Sequence, residues 1–260
     1  MSTEPPPVVL LHALPFDASM WREQTAALTA RGHRVLAHDQ RGFGGTNLGD
    51  EPPSLDLVAD DVARAMDERG MDRVLLAGCS MGGYVALALL RRHPDRVRAL
   101  ALLNTRGTAD SDETAAGRKA FAERIMDGAV RGEVVAATTP LLLGATTRAE
   151  RPDILNRVMA AAQAAPPSAV AWAQRAIAAR PDALDVLRAT GVPAVVVAGE
   201  EDTLVPLDEA AELERALPRG RLVPVPRAGH LLPLERPDVV TEILVGLVED
   251  RTTDERRTAW

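Results

Sequence analysis

The chain has 260 residues, 46% apolar and 26% charged, a balance that fits a buried core and excludes a disordered or fibrous protein. Its 37 acidic and 30 basic residues give a formal charge of -7, which argues against a broad footprint for nucleic acid or an anionic membrane. A single cysteine, Cys79, excludes an intramolecular disulfide and a cysteine-built zinc cluster, as suits a reducing compartment.

The opening MSTEPPPVVLLHALP carries no basic start and only a short apolar run, so a cytoplasmic protein that does not enter a membrane is expected. Residues 7–13, PVVLLHA, are apolar on both faces, the pattern of a central parallel strand. A helix is expected over residues 19–30, with Ser19 as N-cap and Gly32 as stop signal. Residues 34–39 form the next strand and lead into the glycine-rich turn QRGFGGT, followed by a helix over 57–68. Residues 73–78, RVLLAG, make a third buried strand, 82–92 a helix rich in alanine and leucine, and 97–104 a fourth strand. Strands separated by helices imply right-handed crossovers and a parallel sheet.

Beyond residue 107 the strand signal stops. Alanine-rich amphipathic segments, broken at Pro140, Pro152, Pro166-Pro167 and Pro181, predict an inserted helical region over 108–186. The core pattern resumes with a strand at 193–198, a helix at 207–217, a strand at 221–225 and a helix at 238–248, before a polar tail after Asp250 that is expected to fray. The division is therefore an α/β core over 1–107 and 187–260, built on a mostly parallel sheet of about six strands, interrupted by the helical insertion.

Gly78-Cys79-Ser80-Met81-Gly82 is a G-x-S-x-G pentapeptide set between a predicted strand and a predicted helix. A serine on so tight a turn lifts its hydroxyl above the sheet edge, and the flanking glycines avoid conflict where backbone and helix approach. A serine hydroxyl is a weak nucleophile near neutral pH and needs a base, which in turn needs an orienting acid.

His230, in Arg227-Ala228-Gly229-His230 after the last strand, is the candidate base, because that loop opens at the same carboxyl edge as Ser80. His33 and His93 lie at helix exits, His38 inside a strand and His12 at a strand end, and none combines edge position with the expected chain order. For the acid, Glu200, Glu201 and Asp202 all follow the strand PAVVVA. Asp202 is preferred for its shorter side chain and its place before the Thr203-Leu204-Val205-Pro206 turn, which leaves the glutamates to solvent. The earlier strand that could carry an acid ends in Asn104-Thr105-Arg106, without a carboxylate.

The oxyanion of a tetrahedral intermediate needs two N–H donors, each able to contribute about 3 kcal/mol. Met81 follows the nucleophile. The loop His12-Ala13-Leu14-Pro15 offers Leu14, since Pro15 has no N–H. The alanine, leucine and methionine content of the insertion, together with Trp172, suggests an apolar pocket wall. His12, Trp21 and Trp172 are the candidate pocket residues, although Trp21 is equally suited to the core.

Taken together, LLHALPFDASMW, DQRGFGGT, AGCSMGGYVAL, VVVAGEEDTLVP and RAGHLLPLERP resemble the α/β-hydrolase superfamily, over the whole chain outside the insertion. Within it the pattern is most similar to small serine esterases that include 3-oxoadipate enol-lactonases and cofactor-free haloperoxidase-like esterases. The resemblance implies a Ser80-Asp202-His230 triad, an oxyanion hole at Met81 and Leu14, a helical cap at the insertion, and hydrolysis of a small-molecule carboxyl ester or lactone without metal or organic cofactor. Carbon-carbon bond hydrolysis, perhydrolase chemistry and a non-catalytic ligand receptor are the alternatives on the same scaffold. Two departures stand out: Ala13 occupies a position where family members commonly carry glycine, and the two strands that usually precede the first one are missing.

Overall fold

The computed structural model describes residues 5–249, so the tail expected to fray lies outside the described residues. The first half of the chain alternates β1 (Val8–Leu11), α1 (Arg22–Ala30), β2 (Val35–His38), α2 (Leu55–Asp67), β3 (Val74–Cys79), α3 (Met81–Arg92) and β4 (Val97–Leu103). Helices α4 (Asp112–Met126), α5 (Arg131–Thr138), α6 (Ala145–Glu150), α7 (Pro152–Ala164), α8 (Pro167–Ala178) and α9 (Leu184–Ala189) follow without an intervening strand. The chain then returns to the sheet through β5 (Ala194–Gly199), α10 (Leu207–Arg215), β6 (Gly220–Val225), α11 (Leu232–Glu235) and α12 (Pro237–Glu249).

The six strands form one sheet in the order β2-β1-β3-β4-β5-β6, and every pairing is parallel. Because β2 lies on one side of β1 and β3 on the other, sheet growth reverses at the β1–β3 boundary. In open α/β sheets such a reversal leaves a crevice outside the carboxyl ends of the strands. The loops carrying Leu14 and Ser80 leave those two strands.

Side chains alternate across the sheet. Val9, Leu11, Leu76, Leu100 and Val196 join the apolar cluster under α2, α3 and α10. Val8, Leu10, Leu75, Ala101 and Val195 join the cluster under α1 and α12. Burial on both faces accounts for the continuous apolar runs of the central strands.

Local differences from the sequence expectations have simple causes. The Asp17 carboxylate, rather than Ser19, caps the first helical turn by accepting the Ser19 N–H at 2.8 Å, and the chain passes through a short 3-10 turn, Ala18–Trp21, before α1 begins. Ser54 caps α2 and starts it at Leu55. Trp21 is completely buried in the cluster with Leu10, Met20 and Leu28, a core residue and not a pocket residue. The Ala13 methyl lies in that same cluster, where it takes the place expected of glycine.

His12 is also fully buried, and both its ring nitrogens are engaged within the protein. Nε2 accepts the Gln40 N–H at 3.0 Å and Nδ1 lies 3.1 Å from the Ala13 carbonyl, so the ring ties the loops after β1 and β2 together and offers no free atom to a ligand. The Gln40 side chain adds a 2.7 Å bond to the His12 carbonyl.

Two predictions follow from this packing. A Cβ at Gly82 would stand 2.1 Å from the Leu11 carbonyl oxygen, whereas one at the exposed Gly117 of α4 meets nothing within 4 Å. Gly82→Ala should therefore cost about 3 kcal/mol by overpacking and Gly117→Ala should add up to about 1 kcal/mol of helix propensity, both read from denaturant unfolding. Burial, partly offset by the Ala13 carbonyl, lowers the His12 pKa from 6.5 to about 4. The neutral ring stabilises the fold above about pH 6.5, and that contribution, at most about 3 kcal/mol, is lost as pH falls toward 4. His12→Gln should lose less stability than the parent over that interval; equal losses would remove His12 as the cause.

Candidate active site

Ser80 stands between β3 and α3 with φ 52° and ψ -114°, in backbone space that a side chain rarely enters. The turn is held on every side. The Ser80 N–H donates to the Leu103 carbonyl at 2.9 Å, and the Ser80 carbonyl accepts the Gly83 and Tyr84 N–H groups and the Thr105 hydroxyl. A Cβ at Gly78 would lie 2.2 Å from the Gly82 carbonyl oxygen, so α3 can start directly against the strand only with glycine there.

The structure brings Ser80, His230 and Asp202 together, although they lie far apart in sequence. Ser80 Oγ is 2.7 Å from His230 Nε2, and His230 Nδ1 is 2.7 Å from Asp202 Oδ2. The imidazole and the Asp202 carboxylate are almost completely enclosed, with side-chain exposures of 5% and 0%. Asp202 Oδ1 accepts the Leu204 and Val205 N–H groups at 2.8 and 3.1 Å, so the turn after β5 fixes the carboxylate by closing around it.

The neighbouring acids divide. Glu200 is exposed, but Glu201 is not left to solvent as expected: it accepts the Thr146 N–H at 2.7 Å and the Thr146 hydroxyl at 2.5 Å, and that hydroxyl bond together with the N–H bond lowers its pKa. Cys79, beside Ser80, is buried. Desolvation, reinforced by the Asp202 and Glu235 charges, pushes its thiol well above the usual range, so at neutral pH it is not a thiolate.

Met81 begins α3, and its N–H falls in the first turn, where no intrahelical acceptor exists. Leu14 is half-buried in the loop after β1. Its N–H and that of Met81 have no hydrogen-bond acceptor among the described residues. Trp172, on α8, donates its Nε1–H to the Glu51 carbonyl at 3.0 Å. With Met81, Phe43, Leu55 and Val58 it lines a narrow cleft.

Two residues missed from sequence also belong here. Asn104, 1% exposed at the end of β4 with φ 45°, donates its amide to the Gly229 and His230 carbonyls at 2.7 and 2.8 Å and accepts the Gly199 N–H at 2.9 Å. It thereby locks the histidine loop to the ends of β4 and β5. The signal was its place at the sheet edge, since asparagine tolerates positive φ better than most residues. Glu235, on α11, is 3% exposed and accepts the N–H groups of Gly229 and Leu231, on either side of His230. A single acid within the apolar LLPLERP segment was its signal.

The chain matches the model of the alpha/beta hydrolase fold family over residues 6–237. The esterase of Thermogutta terrifontis, solved with malate bound, superposes with a TM-score of 0.88 at 34% identity, over 93% of this chain and 89% of that one. The enol-lactonase from Burkholderia xenovorans LB400 superposes with a TM-score of 0.85 at 30% identity, over 94% of this chain and 92% of that one. RutD of Azorhizobium caulinodans, whose name attributes carbamate hydrolysis to it, is 29% identical over 250 residues, 92% of this chain and 90% of its own length. The chain therefore belongs to the α/β hydrolase family and is a hydrolase of that fold.

Proposed function

We propose that the protein is a serine hydrolase that cleaves a carboxyl ester or lactone of a small to medium substrate through an acyl-enzyme. The observation that carries this reading is the unbroken chain of short contacts from Ser80 Oγ through both nitrogens of His230 to Asp202, each 2.7 Å long. The esterase and enol-lactonase structures it resembles support the choice of an acyl substrate.

Catalysis starts with the His230 tautomer that carries its proton on Nδ1, facing Asp202, and leaves Nε2 free to accept. His230 Nε2 takes the Ser80 proton as Oγ attacks the carbonyl carbon. The N–H groups of Leu14 and Met81 receive the oxyanion. The tetrahedral intermediate collapses as the protonated imidazole passes its proton to the leaving alkoxide, which gives the alcohol and the acyl-enzyme. In a lactone the alcohol stays attached to the acyl group. Water then repeats the sequence, losing its proton to His230 Nε2 and releasing the acid with Ser80 restored. Throughout, Asp202 fixes the imidazole orientation and stabilises its transient positive charge.

The test is a p-nitrophenyl ester panel with the parent, Ser80→Ala and Asp202→Asn. Ser80→Ala should lose all activity above background, and Asp202→Asn should lower kcat by about 10⁴-fold by forcing the wrong tautomer. Parent activity unchanged in either variant would contradict the assigned role. A matched series of lactones and open-chain esters then ranks the two acyl classes by kcat/KM.

A further inference from the structure

Glu235 forms no salt bridge among the described residues, yet its carboxylate is almost completely buried. Such a group persists only if donors replace its water. Four do so, and they come from two distant parts of the chain. Oε2 accepts the Gly229 N–H at 3.0 Å and Oε1 the Leu231 N–H at 3.1 Å, so the carboxylate grips both peptide neighbours of His230. Oε2 also accepts the Gly144 N–H at 2.9 Å and the Thr147 hydroxyl at 2.6 Å, at the start of α6 in the helical segment between β4 and β5.

The two segments are in direct backbone contact at this point. A Cβ at Gly229 would stand 2.1 Å from the Gly144 nitrogen. Glu201, next to Asp202, adds a second grip on the same turn through Thr146. Glu201, next to Asp202, and Glu235, which holds the N–H groups on either side of His230, thus both reach the first turn of one short helix of the insertion.

We infer that Glu235 is a positioning residue that couples the seating of α6 to the orientation of His230. This rests on the proposal that His230 is the base. With α6 seated, the four donors hold the carboxylate in one rotamer and the loop from 229 to 231 is fixed around it. When the α6 donors are lost, Glu235 retains only the loop itself as partner, and the loop and carboxylate are free to move together. A displacement of the base by about 1 Å lowers catalysis on the order of 100-fold, so a partial release has a measurable kinetic effect.

Thr147→Val tests this without touching Ser80, Asp202 or His230, because it removes one hydroxyl and keeps the side-chain shape. The measurements are kcat and KM for p-nitrophenyl acetate, the thermal midpoint, and the low-field proton resonance of the His230 Nδ1–H facing Asp202. The expected result is a roughly tenfold lower kcat with little change in KM, together with a shifted or broadened resonance. Thr147→Ser should restore both, and Glu235→Gln should reproduce the effect more strongly. If Thr147→Val lowers the thermal midpoint while kcat and the resonance stay at parent values, the contact is only a fastening and the inference is overturned. If the parent hydrolyses no ester, the proposed function fails by itself. The coupling is then decided on the resonance alone, a shift supporting it and an unchanged signal overturning it.

Discussion

The site depends on one backbone constraint, the left-handed conformation of Ser80 at the junction of β3 and α3. Holding a residue there costs on the order of 1–3 kcal/mol, which the surroundings must offset. They do so by packing: ten residues of α3, from Met81 to Leu90, are buried against the sheet and α2, and the helix cannot shift to relax the turn without uncovering them. Gly78 and Gly82 let the helix start close enough, one against the other and Gly82 also against the Leu11 carbonyl. The conformation that lifts the serine hydroxyl off the sheet edge also sets the Met81 N–H at the free end of the helix, so candidate nucleophile and candidate oxyanion donor are fixed by the same turn.

Around that turn the carboxyl ends of three adjacent strands, β4, β5 and β6, are tied together by buried polar side chains. Asn104 after β4 joins the end of β5 to the loop after β6. Asp202 after β5 closes its own turn and reaches His230. Glu235 holds the peptides flanking that histidine. Each is hydrogen-bonded at both polar atoms of its side chain; a buried polar group left unpaired would cost more than its bond contributes. The dipoles of the site are thereby set before any substrate arrives, the condition under which they stabilise developing charge.

What the sequence made legible was local in character. Apolar runs of strand length, glycines at turns and a serine between strand and helix each declare themselves within a dozen residues, so the parallel sheet and the Ser80 turn could be read directly. The choice of Asp202 over two glutamates rested on side-chain length and on its place before the turn at 203–206, whose Leu204 and Val205 N–H groups Oδ1 accepts. Contacts across long separations were not legible. The pairing of Glu201 with Thr146 spans 55 positions and that of Glu235 with Gly144 spans 91, and no local pattern encodes either. Asn104 was passed over because a carboxylate was sought there, whereas the position needs a group that both donates and accepts. His12 and Trp21 follow the first strand but are buried in the protein, His12 at the start of a loop and Trp21 in a single 3-10 turn, segments too short for a periodicity to show which way a side chain faces.

We propose that the hydroxyl on this strained turn is the reacting atom. Treating the parent with a fluorophosphonate and mapping the modified residue by peptide mass spectrometry tests it most directly. A single adduct on the peptide containing Ser80, formed in step with loss of esterase activity and absent when the protein is first unfolded, is the predicted result. An adduct on another residue, or full inactivation with Ser80 unmodified, would rule out Ser80 as the nucleophile.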